Sequence, residues 1–350
     1  MNKNRLMQLQ AELEPGEAVF LSSYPSLFYY TGFCSEDGWA VIMHDRAALI
    51  TDSRYTVQAK AQTSGVEIIT LNQKLEQVLQ SFSADAFGFE EEFLSAGQLD
   101  RLKNAVPGRQ WIPMQERIAR PRQEKSPDEI RRIREAERLG DEAFSYVLTR
   151  LHPGMTERAV AAELEFFMKK NGASGTSFDT IAASGYRSAM PHGVASDKQI
   201  QKGELLTLDF GCVLDGYCSD MTRTVGIGSL GEEETQIYNT VLRAQKAALD
   251  FVQEGVLCAD VDRAARLVIE AAGYGSCFGH SLGHSLGIEI HEAPNFLPKS
   301  DAVLKRGNVI TVEPGIYVEG LGGVRIEDVI AVTDQGIENL TSSPKELILI

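Results

Sequence analysis

The run Leu205-Leu206-Thr207-Leu208-Asp209-Phe210 reads as a buried strand with an aspartate inside it. Apolar residues and a β-branched threonine fill a stretch of strand length. An ionised carboxylate taken out of water without a partner costs roughly several kcal/mol, so the group must be paired or give up its charge. A chain that keeps Asp209 there is feeding it a cation. Outward from this strand, the residue types able to share such a cation are Asp220, His284, Glu313 and Glu327, all in the C-terminal half.

These residues fall on two similar frames. Residues 205–211 and 217–226 form one expected hairpin, joined through Asp215-Gly216, a strong turn signal. Residues 309–313 and 324–332 form a second, joined through a glycine-rich stretch that lacks the lysine and Ser/Thr of a phosphate cradle. Each supplies two carboxylates, and the pairing hints at an old duplication of a hairpin unit. In Gly323-Val324-Arg325-Ile326-Glu327-Asp328 side chains alternate, so Val324 and Ile326 pack while Arg325 and Glu327 line the other face. Asp220 shares a face with Thr222 and Thr224.

Four carboxylates gathered at neutral pH repel one another by several kcal/mol, about 4 per pair at 4 Å and an effective dielectric near 20. Divalent metal resolves that conflict. Four carboxylates and one imidazole hold two ions about 3.5–4 Å apart if some carboxylates bridge, and such a pair makes hydrolytic machinery. Oxygen-rich ligation with one nitrogen suits Mn²⁺ or Co²⁺, and Zn²⁺ and Fe²⁺ are compatible. Histidines add to the pattern. His280 and His284 lie in a segment too glycine-rich for a helix, His291 follows, and His192 sits in a Met190-Pro191-His192-Gly193 loop. His44 and His152 are assigned to surface or packing. A single strand glutamate is more often solvent-facing, and a single histidine more often a satisfied hydrogen-bonding residue, than part of a site. The joint occurrence carries the reading.

The rest of the chain sets the frame. Its 350 residues suggest two domains. A formal charge of −15 disfavours nucleic acid and anionic membrane as partners. No apolar stretch is long enough to span a bilayer, and the polar first ten residues do not read as a signal peptide. Five scattered cysteines without a Cys-x-x-Cys fit reduced thiols in a cytoplasm better than a Cys212–Cys218 bridge. The first ~120 residues alternate short strands (near 19–21, 39–43, 48–51, 66–69 and 86–89) with helices near 55–63 and 75–82, an α/β pattern. Residues 118–127 read as a linker, and Ser126-Pro127 as a helix start. Further helices are expected through 130–151, 160–168, 233–253 and 261–272. The expected domains are residues 1–122 and 127–350.

In order along the chain, Ser188-Ala189-Met190-Pro191-His192-Gly193, Leu208-Asp209-Phe210-Gly211, Ser219-Asp220-Met221-Thr222-Arg223-Thr224, Gly283-His284, His291-Glu292-Ala293-Pro294, Val312-Glu313-Pro314-Gly315-Ile316-Tyr317 and Gly323-Val324-Arg325-Ile326-Glu327-Asp328 resemble the metallopeptidases of the pita-bread fold, Xaa-Pro branch. The resemblance implies an α+β chain, a creatinase-like α/β N-terminal domain followed by a pita-bread catalytic domain. It implies two divalent ions, manganese first, with Asp209 on one, His284 and Glu313 on the other, and Asp220 and Glu327 holding both. His192 and His291 would contact substrate, His280 would stand beside the ions, Arg325 would orient substrate or ligands, and Glu313 would also shuttle protons. The implied substrate is a peptide with proline at its second position, and the implied assembly a cytoplasmic homodimer. Tyr30-Thr31-Gly32-Phe33 and Thr51-Asp52-Ser53-Arg54-Tyr55 resemble the N-terminal domain of this branch, the latter favouring aminopeptidase P over prolidase, the Xaa-Pro dipeptidase. Ser285 departs from the glycine many relatives carry after the metal-binding histidine. Methionine aminopeptidase usually lacks such an N-terminal domain, and creatinase-type hydrolases lack the metal set. A non-catalytic interaction protein on this fold would be indifferent to chelators.

Overall fold

The computed structural model describes residues 2–350, the side chains of residues 2 and 3 excepted. The chain divides after Arg122 into two compact units, the second being Gln123–Ile350.

The first unit is built on a six-stranded mixed sheet, in the order Glu67–Thr70, Ala47–Thr51, Trp39–Met43, Glu17–Leu21, Ala86–Phe89, Gln110–Pro113. Its three central strands pair antiparallel and the outer ones parallel. Phe20, Val41, Ile50, Phe82 and Phe87 pack its core. Sequence patterning gives five of these strands and misses the edge strand Gln110–Pro113. It also misses the helix Tyr24–Thr31, where six of eight residues are buried and no polar stripe marks a helical period. The expected linker is partly structured, since Ile118 and Ala119 end the helix Gln115–Ala119 and Arg120–Arg122 form a 3₁₀ turn.

The second unit repeats one idea twice. Its first helix, Pro127–Leu148, starts where the sequence signals it. Ser126 Oγ accepts from Glu129 N–H and the Glu129 carboxylate accepts from Ser126 N–H, a reciprocal cap behind a proline already set for the first turn. That helix and Glu157–Lys170 bury Ala136, Leu139, Phe144, Val160, Leu164 and Met168 against Leu206, Leu208, Phe210, Met221 and Val225 of the first hairpin. The helices Glu232–Phe251 and Cys258–Ala271 bury Ile237, Val241, Ala244, Val261 and Ile269 against Ile310, Val312, Ile316, Val324, Ile326 and Ile330 of the second. Each hairpin thus gives its apolar face to a helix pair and keeps a polar face free. Among the described residues no helix is long and apolar enough to cross a membrane.

Both hairpins are built in two tiers, where continuous strands are expected from the sequence. In the first, Leu205–Phe210 pairs with Met221–Gly226, and beyond a break Cys212–Leu214 pairs with Tyr217–Cys218. Asp215 and Gly216 close it with φ of 49° and 80°, the two positive angles a tight hairpin turn requires. In the second, Val309–Val312 pairs with Asp328–Thr333, and Gly315–Val318 with Gly322–Arg325. The breaks have a common cause, because backbone N–H groups are drawn off by other elements. Asp220 N–H donates to Glu137 Oε1 at 2.8 Å, and Glu327 N–H to Thr222 O at 3.1 Å.

Candidate metal centre

The polar faces of the two hairpins meet. Thr222 Oγ1 donates to Glu327 Oε2 at 2.7 Å, and Thr224 Oγ1 to Arg325 O at 3.0 Å. At this seam stand the carboxylates singled out in the sequence. Asp209 is the last residue but one in the first strand of one hairpin, opposite Thr222, while Asp220, Glu313 and Glu327 occupy the breaks between tiers. Ligand atoms of Asp220, His284 and Glu327 lie within 4.8 Å of one another. His284 Nε2 is 3.5 Å from Asp220 Oδ2 and 3.4 Å from Glu313 Oε1. Asp209 joins the group through Arg325, whose Nη2 is 2.5 Å from Asp209 Oδ2.

Burial makes negative charge costly at this site. Burial pushes the Asp220 and Glu327 carboxyls well above the usual range, and the neighbouring carboxylates add to it. Burial raises Glu313 to about 7 against the opposing pull of Arg325. Burial, and then His291, lower His284 to about 4, so its ring is neutral at pH 7. Its Nδ1 lies 3.2 Å from Ser285 O and can only donate there, which leaves a lone pair on Nε2 facing carboxylate oxygens. Lone pairs do not face one another without something positive between them. Asp209 Oδ1 and Glu327 Oε1 are likewise buried with no protein donor. Oxygen donors, a neutral imidazole and orphaned lone pairs aimed together fit divalent cations.

The remaining predicted residues surround this floor. His291 is exposed, its ring 4.4 Å from that of His284. The turn before it is fixed by Glu292, which accepts from the Ile288 and Glu289 N–H groups and from buried Lys125 at 3.0 Å. His192 is exposed on its loop. His280 spends its nitrogens elsewhere, with Nδ1 2.8 Å from Ser281 O and Nε2 2.9 Å from the Tyr317 hydroxyl. That hydroxyl also accepts from Arg325 Nη1 at 2.7 Å. Sequence reading gave Tyr317 no role, although counting by twos from Glu313 through Gly315 reaches it on the same face. Glu137, which receives the Asp220 N–H, has no comparable signal because it lies 83 residues away in a helix. All five cysteines are free.

Ser285, next to His284, is fully buried and its hydroxyl finds no protein partner. A buried hydroxyl without a partner is a net loss, so Ser285→Ala is expected to leave folding unharmed or stabilise the protein by about 1 kcal/mol in denaturant melts. Destabilisation of that size would mean that the hydroxyl is needed where it stands.

Residues 131–334 match metallopeptidase family M24, and residues 5–123 match the creatinase/prolidase N-terminal domain. The chain belongs to family M24. The fold agrees with its pita-bread members. The structure of an Xaa-Pro dipeptidase from Bacillus anthracis superposes with a TM-score of 0.96 at 40% identity, covering 100% of both chains. An X-Pro aminopeptidase from Thermotoga maritima gives 0.92 at 37% identity, over 99% of this chain and all of that one. In sequence, an Xaa-Pro dipeptidase of Pyrococcus horikoshii is 38% identical over 334 residues, 95% of this chain and 94% of the relative. For this M24 protein the relatives weigh toward dipeptidases, against the aminopeptidase preference drawn from residues 51–55.

Proposed function

We propose that this protein is an Xaa-Pro dipeptidase, a metal-dependent hydrolase of the bond between an N-terminal residue and a following proline. The observation that carries the reading is the seam of two hairpins, where the His284 Nε2 lone pair and the oxygens of Asp220, Glu313 and Glu327 are turned on one spot. On this reading Asp209 holds one ion, His284 and Glu313 a second, and Asp220 and Glu327 both, with manganese the preferred metal. Bound ions of this kind polarise a substrate carbonyl and make water a nucleophile near neutral pH. The chain's own groups supply the rest. Exposed His192 and His291 meet the substrate and stabilise the charge that develops on its carbonyl oxygen. Arg325 holds the Asp209 carboxylate and the Tyr317 hydroxyl in place, Tyr317 fixes His280, and Glu313 passes the proton to the leaving nitrogen. Residues 1–122 serve as the creatinase-like domain and 127–350 as the catalytic one, and the enzyme works as a cytoplasmic homodimer.

A second reading, aminopeptidase P, is favoured by residues 51–55 and by the likeness to the Thermotoga protein. The two are separated by assaying manganese-loaded protein on Xaa-Pro dipeptides, Xaa-Pro tripeptides and longer peptides, before and after chelation. Chelator-sensitive cleavage confined to dipeptides is expected. Efficient cleavage of the tripeptides would establish the aminopeptidase instead, and activity indifferent to chelation would sink both.

A further inference from the structure

Glu157 is the first residue of the helix Glu157–Lys170, and it is completely buried. Its carboxylate collects five donors. Oε1 accepts from Ser184 N–H at 2.8 Å and Ser184 Oγ at 2.9 Å. Oε2 accepts from Arg187 Nε at 2.9 Å, Ser196 N–H at 3.1 Å and Ser196 Oγ at 2.6 Å. Ser184 and Ser196 are the two feet of segment 185–195, the loop that carries His192. One side chain therefore closes the loop at its base.

Other ties act along the loop, among them a β-bridge between Val194 and Ile181. Arg187 Nη2 adds a second rung by donating to Val194 O at 2.7 Å, and Lys198 Nζ donates to Ser184 Oγ at 2.8 Å. Nearer its tip, Pro191 O accepts from Arg325 Nη1 at 3.3 Å, and Ser188 Oγ from Gly323 N–H at 2.8 Å. A Cβ on Gly323 would meet Ser188 O at 2.2 Å, so the loop lies flat on the strand that presents Arg325. Tyr186, Met190 and Val194 are exposed and bury little to hold the loop by packing. A carboxylate suits the base of such a loop because it only accepts, with about four lone-pair sites for converging N–H and O–H groups. An amide there would turn its NH₂ toward donors. This network touches none of the carboxylates of the metal centre.

We propose that Glu157 is the positioning residue for His192, the buried anchor that sets where this histidine meets the substrate. The inference rests on the reading of His192 as substrate-facing. In manganese-loaded protein, Glu157→Gln is expected to lower kcat/KM on an Xaa-Pro dipeptide by roughly tenfold to a hundredfold, the scale of a small misplacement at a reacting centre. In a His192→Ala background the same change is expected to cost no more than about twofold, since groups acting through one another are not additive. Equal losses in both backgrounds would overturn the proposal and leave Glu157 a structural residue.

Amide hydrogen exchange supplies a readout independent of turnover. In Glu157→Gln, exchange in 185–195 is expected to rise by about tenfold or more while residues 205–226 and 309–333 keep their protection. Unchanged exchange in the loop, or an equal rise everywhere, would defeat the proposal even if the wild-type protein cleaved no Xaa-Pro peptide. Should Glu157→Gln fail to fold, Arg187→Met removes two rungs and leaves the serine bonds. It is expected to shift the same loop in the same direction by less, and no shift would count equally against the anchor.

Discussion

Replacing Glu327 by glutamine is expected to abolish turnover and, at the same time, to stabilise the chelated protein. Glu327 is buried, shares the seam with Asp209, Asp220 and Glu313, and has one oxygen without a protein donor. Each carboxylate pair at about 4 Å and an effective dielectric near 20 costs about 4 kcal/mol when both are ionised, so the comparison is made above pH 7, where Glu313 has given up its proton. Glutamine keeps an oxygen for the Thr222 hydroxyl and turns an NH₂ toward the remaining carboxylates, so repulsion becomes attraction. The chelated variant should melt several degrees above chelated wild type, at about 2–4 °C per kcal/mol for a unit the size of Gln123–Ile350. Wild type should regain stability with metal, about 2.7 kcal/mol at a hundredfold excess over Kd, and the variant should not. Turnover should fall by about a thousandfold or more. A variant that melts lower without metal, or still gains stability from it, would remove the ion site from this seam.

The same buried acids give the chelated wild-type protein a pH signature. Burial lifts the Glu313 carboxyl from 4.5 to about 7, and lifts Asp220 and Glu327 as well. The folded chain therefore keeps protons that the unfolded chain releases above about 4.5. The Glu313 contribution to stability is complete below that pH and is lost as pH rises through about 7, and Asp220 and Glu327 act in the same direction. Saturating metal should flatten this slope, because cations then replace the protons.

Alternation made half of the site legible in the sequence. In 323–328, Val324 and Ile326 enter the core, while Arg325 and Glu327 face the seam, as a period of two requires. The Asp215-Gly216 turn and the Ser126-Pro127 helix start are equally local signals, each acting through its own φ angles and caps. What sequence could not supply was the reason the strands break. Asp220 and Glu327 leave their ladders because Glu137 and the Thr222 carbonyl, 83 and 105 residues distant, take their N–H groups. The first bond exists only once the helix Pro127–Leu148 packs on its hairpin, and the second only once the two hairpins meet. Glu157 was invisible for the same reason, since a glutamate in the first turn of a helix looks like an ordinary favourable charge. In the first unit, Tyr24–Thr31 failed the helical pattern because burial on nearly every side erases the stripe that betrays a helix.

Arg223→Met is expected to cost about 3–5 kcal/mol of stability and to weaken metal binding without removing any ligand. Arg223 is almost completely buried immediately behind the seam. Its Nη1 donates to Thr222 O and to Glu327 O, one from each hairpin. Its Nη2 reaches Asp328 Oδ1 at 2.8 Å and Ser343 O at 2.7 Å, and Nε reaches Pro344 O at 3.0 Å. The guanidinium thus fixes the register in which Thr222 meets Glu327, and with it the spacing of the proposed ligands from the two halves. Methionine fills similar volume but leaves three carbonyls and part of a buried carboxylate without donors. Asp328 retains Gln245, Asn339 and Lys345, which places the loss toward the lower end of that range. Arg223→Lys should fall between wild type and Arg223→Met, since an ammonium keeps the charge but cannot span both hairpins in one plane. Denaturant melts with and without manganese read both effects. A loss below about 1 kcal/mol would show that the hairpins hold their register without this fork.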